Sequence, residues 1–152
     1  MSLFATLDIS GSGLAAQRQR IEVLAENVAN ANTTRTPEGG PYRRRHVVFE
    51  SEPQGFSNFR SVWSRARSLA VGGGGQQQGV RVSGVLTDEQ PPERRYQPGH
   101  PDAGADGYVE FPAFNPVEDM VDLTAGVRSY QANLAVVTAI KEMIQRTLDI
   151  SR

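Results

Sequence analysis

Apolar side chains near the C-terminal end of the chain recur at alternating steps of three and four residues, which is the spacing of one helix face. The row consists of Met120, Leu123, Val127, Tyr130, Leu134, Val137, Ile144 and Leu148, and only Lys141 interrupts it. Asn115 is a good N-cap, Pro116 suits the first helical position, and Glu118 completes a capping box. The pattern predicts a helix of about 34 residues, which is about 51 Å long at 1.5 Å per residue.

A weaker helical pattern occupies the N-terminal end. One row repeats every seven residues and a partial second row accompanies it: Leu7, Leu14, Ile21 and Val28, then Leu24 and Ala31. Gly11 and Gly13 interrupt the stripe, and each costs a helix about 1 kcal/mol relative to alanine. This helix is therefore expected to be marginal on its own, and the Asn- and Thr-rich stretch that leads to Pro37 is expected to end it.

Between the two helices the sequence predicts a small irregular β region. Strand-like patterns of β-branched residues cover 46–50, 79–86 and 107–111. Residues 54–71 fit either a loop or a short helix, and the Gly/Gln tract at 72–79 is expected to be an exposed, flexible loop. The predicted fold class is α+β, with long N- and C-terminal helices that pack as a helical bundle or coiled coil around a small β-rich middle domain. The expected units are 1–34, 35–114 and 115–152.

The apolar residues are concentrated at the two ends. Residues 1–31 and 117–150 hold 23 of the 38 Ile, Leu, Val, Met and Phe side chains, whereas the 85 residues between them hold 15. Two arrangements fit this distribution. The helices either form an antiparallel pair that closes one small core within the chain, or pack against helices of neighbouring subunits and become ordered on assembly. The middle region holds few apolar residues that could complete a core within the chain, which favours the second arrangement.

Charge and cysteine content narrow the possible functions. The 16 Lys+Arg and 17 Asp+Glu leave a formal net charge of −1, which favours neither nucleic acid nor an anionic membrane as a partner. The absence of Cys excludes disulfides, thiolate metal sites and cysteine nucleophiles. We expect no membrane insertion and no cleaved signal peptide, since the apolar stretches are short and the first residues lack a basic start.

Motifs for catalysis or ligand binding are weak. Gly72 to Gly75 are not followed by the Gly-Lys-Ser/Thr of a phosphate-binding loop. His100, Asp102 and Asp106 offer metal ligands, but their proline- and glycine-rich surroundings favour a turn. No Gly-x-Ser-x-Gly motif accompanies the two histidines. We therefore expect no enzyme activity, no cofactor and no metal.

The strongest basic cluster is Arg43, Arg44 and Arg45, which follow Tyr42. Residues 1–70 carry nine basic and six acidic side chains, a weak excess for a nucleic-acid footprint. The cluster is expected to be a solvated or subunit-contact face, with no nucleic acid as partner.

Two terminal motifs resemble those of the bacterial flagellar rod and hook axial proteins. Residues 12–33, SGLAAQRQRIEVLAENVANANT, resemble the N-terminal motif of this family, and residues 121–133, VDLTAGVRSYQAN, resemble its C-terminal motif. Residues 36–45, TPEGGPYRRR, and 96–109, YQPGHPDAGADGYV, resemble the family's small proximal-rod members.

The resemblance implies a structural subunit of the proximal rod, the drive shaft that crosses the periplasm in the flagellar basal body. It implies export through the flagellar type III apparatus without a cleaved signal, and assembly with further copies and with neighbouring rod proteins. The subunit interface is expected to comprise the apolar rows, the polar residues that fix their register, and the arginine cluster: Leu7, Leu14, Ile21, Leu24, Asn27, Val28, Asn30, Arg43, Arg44, Arg45, Met120, Leu123, Val127, Tyr130, Gln131, Asn133, Leu134, Val137, Ile144 and Leu148.

An alternative from another functional class is a compact monomeric adapter or binding module that uses the helix pair as a docking face. Both hypotheses use the same apolar rows, so the periodicity of the sequence does not separate them.

Overall fold

Two long helices and two small antiparallel sheets form the part of the chain that the computed structural model describes, residues 3–51 and 79–150. In chain order the elements are α1 (Leu3–Ala29), β1 (Arg45–Ser51), β2 (Val80–Thr87), β3 (Glu93–Tyr96), β4 (Tyr108–Phe111) and α2 (Pro116–Ile150). The α+β prediction is confirmed. The segment 54–71 and the tract 72–79, except its last residue, lie outside the described residues.

The start of α2 confirms the sequence prediction. Asn115 caps the helix: its Oδ1 accepts a hydrogen bond from the Val117 N–H at 3.1 Å, and its carbonyl accepts one from the Glu118 N–H at 3.2 Å. Pro116 occupies the first helical position, where its missing N–H is not needed. Glu118 and Asp119 place acidic groups in the first turn, where the helix dipole favours them.

Helix α1 continues through Gly11 and Gly13 without a break and ends at Ala29. At its end the Asn30 backbone N–H and the Asn30 side-chain amide both donate to the Glu26 carbonyl, at 3.0 and 2.9 Å. The backbone bond completes the last i→i−4 step of the helix, and the side-chain bond adds a second donor to the same carbonyl. The two helices are antiparallel and pack along their length.

The first sheet consists of β1 and β2 and packs against α1. Val47 lies opposite Val85, and the register shifts between Val48 and Phe49. Ser12 connects α1 to this sheet, because its hydroxyl oxygen accepts the Val80 N–H at 3.1 Å. The predicted strands at 46–50 and 79–86 are confirmed.

The second sheet pairs β3 with β4 and contains the strand that the sequence did not predict. All four side chains of β3 are exposed and it lacks an apolar alternation. It is a strand because it pairs with β4, whose Val109 and Phe111 are buried. Here the partner strand, and not local propensity, determines the structure.

Candidate subunit-contact surface

The side of α2 that packs on α1, called here the inner face, carries the more buried residues of the helix. They recur at steps of three and four: Asp119, Leu123, Gly126, Tyr130, Asn133, Val137, Ile140 and Ile144. Helix α1 contributes Ala16, Val23 and Leu24 to the core. The plainer of the two arrangements, an antiparallel pair within one chain, is therefore present in the structure.

Two glycines allow the helices to approach closely. A Cβ on Gly126 would lie 3.2 Å from Cγ1 of Ile21, and a Cβ on Gly13 would lie 3.3 Å from Nδ2 of Asn133. Both distances are slightly shorter than ordinary van der Waals contact, so a methyl group at either position would fit only if its neighbour moved by a few tenths of an ångström. Of the two glycines that weaken the helical pattern of α1, Gly13 thus lies at the helix contact, whereas a Cβ on Gly11 would meet nothing within 4 Å.

A second apolar row on α2, called here the outer row, remains exposed within the chain. Its members are Met120, Val127, Leu134 and Leu148, with exposed fractions of 50%, 37%, 47% and 62%. One residue advances a helix by about 100°, so this row lies on the flank of α2 beside the inner face. The single row predicted from the sequence therefore divides in two: Leu123, Tyr130, Val137 and Ile144 belong to the inner face, and the other four face outward.

Asn27 is completely buried and joins three parts of the chain. Its Nδ2 donates to the Arg45 carbonyl at 2.9 Å, and its Oδ1 accepts the Arg45 N–H at 3.0 Å and the Tyr42 hydroxyl at 2.9 Å. Burial raises the pKa of the Tyr42 hydroxyl, and the nearby Arg45 guanidinium opposes that shift. Asn27 satisfies buried polar groups of its own chain, and that it fixes register between subunits stays a prediction.

The three arginines of the basic cluster have different surroundings. Arg43 is exposed. Arg44 forms an ion pair with Asp119, which is fully buried at the start of α2. Arg45 is half-buried and its guanidinium lies 3.4 Å from the Glu26 carboxylate. Among the described residues, Arg43 is the member of the cluster without an ion pair, and that the cluster lies at a subunit contact stays a prediction.

The sequence interpretation missed the Arg44–Asp119 pair. An acidic residue in the first turn of a helix is already explained by the helix dipole, so its position alone does not indicate a buried ion pair. The available signal was its spacing: Asp119 lies seven residues before Gly126 and fourteen before Asn133, in one row of the inner face. A charged residue in such a row needs a partner, because an unpaired buried charge is costly.

The remaining predicted interface residues are distributed over both faces. The half-buried ones are Leu7, Leu14, Ile21, Val28, Asn30 and Asn133, whereas Gln131 is exposed on α2. Leu24 is buried by its own chain. That these residues contact a neighbouring subunit stays a prediction.

Within 3–51 and 79–150, no group of three or more His, Asp or Glu side chains is arranged to hold a metal ion. His100 belongs to a turn, where its Nδ1 accepts the Asp102 N–H at 3.1 Å. Over its described length, neither helix is long and apolar enough to cross a membrane.

A pair of helices with an exposed apolar flank is typical of a subunit that assembles with others. Two family models match the chain and identify the class of protein. The model for flagella basal body rod protein matches residues 7–35, which cover most of α1. The model for the flagellar basal body rod FlgEFG protein C-terminal region matches residues 105–150, which cover β4 and α2. The chain thus belongs to the class of flagellar rod proteins.

Full-length relatives identify the family within that class. The chain is 38% identical to flagellar basal-body rod protein FlgC of Borreliella burgdorferi, over 99% of this chain and 98% of the relative. It is also 38% identical to the FlgC proteins of Bacillus subtilis and Salmonella typhimurium, over 100% of each chain. The chain belongs to the flagellar basal-body rod protein FlgC family and is a structural subunit of the basal-body rod.

Proposed function

We propose that this subunit occupies the proximal part of the rod, the drive shaft that crosses the periplasm, and assembles there through the outward faces of α1 and α2. The supporting observation is the outer row of α2, whose exposed Met120, Val127 and Leu134 extend along one flank of a 35-residue helix. Full burial of an exposed side chain of this kind contributes roughly 1.5–3 kcal/mol, and these three, which are 37–50% exposed, would gain about half of that each against a neighbouring helix. Copies of this chain and other rod proteins are the proposed partners, and no catalytic role is proposed.

The chain is further proposed to reach the rod unfolded, through the flagellar type III export apparatus and without a cleaved signal. Two features support this route. Helix α1 contains two glycines in its first half and is weak without α2, so the chain is easily kept unfolded. The absence of cysteine suits a protein that functions in an oxidising compartment, because a chain without thiols cannot form unwanted disulfides.

Purification of basal bodies tests the proposal. A tagged copy of the chain, expressed in place of the native one, is expected to co-purify with the rod fraction at a fixed ratio to other rod proteins. Recovery of the tagged chain only as a soluble cytoplasmic monomer would contradict the proposal and favour the adapter hypothesis.

A further inference from the structure

The face of α1 that points away from α2 is lined with small side chains. Six exposed positions follow each other at steps of four and three residues: Gly11, Ala15, Arg18, Glu22, Ala25 and Ala29. The charged pair in the middle is internal to the helix, since Arg18 Nε lies 2.9 Å from the Glu22 carboxylate. The small residues on both sides of this pair let another helix approach closely, because the distance between packed helices depends on the side chains at the contact.

A shallow groove lies on the outward side of α2. Its lining consists of Gln131, Leu134, Ala135, Thr138, Ala139 and Glu142. Two of the lining residues are alanines, Leu134 belongs to the outer row, and Glu142, the last lining residue along the helix, is exposed. This surface carries an acidic group at Glu142, and the outward face of α1 offers Arg18 as a charge of opposite sign.

We propose that this groove receives the outward face of α1 from a second copy of the chain, antiparallel to α2, with Arg18 opposite Glu142 and Ala25 opposite Ala135. The inference rests on the proposed function, and it names the partner of that surface. The same register places Ala29 opposite Gln131, so that small side chains of α1 meet the half of the groove that lies before Thr138. The helices are antiparallel within one chain, and copies that point the same way along an axis keep that relation between chains.

The charge pairing adds specificity to this register. A guanidinium has five N–H donors in a fixed plane, so Arg18 can bind the Glu142 carboxylate of the neighbour while it keeps its bond to Glu22. Both groups are exposed in the single chain. Packing of the helices would remove them partly from water, and the lower dielectric constant of the contact would strengthen their attraction.

The proposed contact is open-ended. The groove and the face that fills it belong to different helices of the chain, so a copy that occupies its neighbour's groove leaves its own groove available. Such head-to-tail contacts generate rings or helical filaments, in contrast to a two-fold contact, which ends at a dimer. An open-ended contact is what a subunit of a rod requires.

Cysteine cross-linking in assembled rods tests the register. The chain has no cysteine of its own, so every disulfide comes from introduced pairs. A chain with Ala25→Cys and Ala135→Cys is expected to give a ladder of covalent multimers after mild oxidation of purified basal bodies. The matched control is Ala15→Cys with Ala139→Cys, two exposed alanines on the same faces that lie six residues out of register in the proposed contact, about 9 Å along the helix axis; no ladder is expected from it.

Charge reversal gives an independent readout. In the Ala25→Cys, Ala135→Cys background, Arg18→Glu is expected to lower the ladder yield about fivefold, and the added change Glu142→Arg to restore it. A ladder from the control pair, or no ladder from the first pair in rods that assemble normally, would overturn the proposed register and leave the proposed function intact. Failure of the tagged wild-type chain to enter the rod fraction would instead overturn the proposed function.

Discussion

Asn27 of α1 and Arg45 at the start of β1 exchange two hydrogen bonds, one in each direction, at 2.9 and 3.0 Å. The side-chain amide of Asn27 thereby pairs with the backbone of β1 as a neighbouring strand would. Because Asn27 is fully buried, the two bonds fix where the first sheet begins relative to the helix pair.

Replacement of Asn27 by Ala is expected to lower the free energy of unfolding by about 2–4 kcal/mol. The change leaves the Arg45 backbone groups and the Tyr42 hydroxyl without their partner in a buried place. Chemical denaturation followed by circular dichroism measures the effect. Asn30→Ala is the control, since Asn30 pairs only with groups of the same helix end, and a loss as large as that of Asn27→Ala would contradict the account.

Stability is expected to fall at high pH because of Tyr42. Its pKa is raised in the folded state, so the folded protein retains the phenolic proton at a pH where the unfolded chain has lost it. The contribution is fully present below the ordinary tyrosine pKa of about 10 and is lost as the pH rises through the folded value. Tyr42→Phe should remove this component of the pH dependence, as measured by urea denaturation between neutral and alkaline pH. An unchanged alkaline slope in Tyr42→Phe would refute it.

Gly126→Ala is expected to destabilise the chain by about 1 kcal/mol, even though alanine favours a helix. The new methyl group would meet Cγ1 of Ile21 at 3.2 Å, and the cost of overpacking, about 1–3 kcal/mol, exceeds the gain in helix propensity. Gly11→Ala is the matched control, because a Cβ there meets nothing within 4 Å, and it should stabilise by about 0.5–1 kcal/mol. Equal effects of the two changes on thermal unfolding would show that Gly126 does not set the helix spacing.

Arg44→Ala is expected to cost about 3–5 kcal/mol, because Asp119 would be left as an unpaired buried charge. Arg43→Ala, at the adjacent exposed position, should change the free energy of unfolding by no more than about 0.5 kcal/mol. Denaturant titration of the two variants under identical conditions makes the comparison. A cost for Arg44→Ala that does not exceed the cost for Arg43→Ala would speak against a stabilising role of the ion pair.

Much of the fold could be predicted from local sequence patterns, namely helix caps and the alternation of apolar residues. Asn115 and Pro116 mark the start of α2, and alternating valines mark β2. Strand β3 carries no such signal, because its residues are exposed and only the pairing with β4 orders them.

The candidate surface could be predicted only in part. Steps of three and four residues identify the apolar residues of a long helix, but two adjacent rows of side chains share that spacing. Val127 and Tyr130 therefore cannot be assigned to different rows from the sequence. Which row faces α1 depends on positions that bring the helices together, such as Gly126 and Asp119, neither of which is apolar. Those positions become recognisable only when the opposite helix is in place.

The most direct test of the central claim is the motility of a strain that carries Leu134→Asp, in the outer row of α2. The side chain is 47% exposed in the single chain, so the variant should fold and be expressed normally, while a charge buried against a neighbouring subunit should prevent rod assembly. Val136→Asp, an equally exposed position on another side of the same helix, serves as the control for folding and expression. The account predicts a non-motile Leu134→Asp strain whose basal bodies lack the rod, and a motile Leu134→Asp strain with complete rods would contradict it.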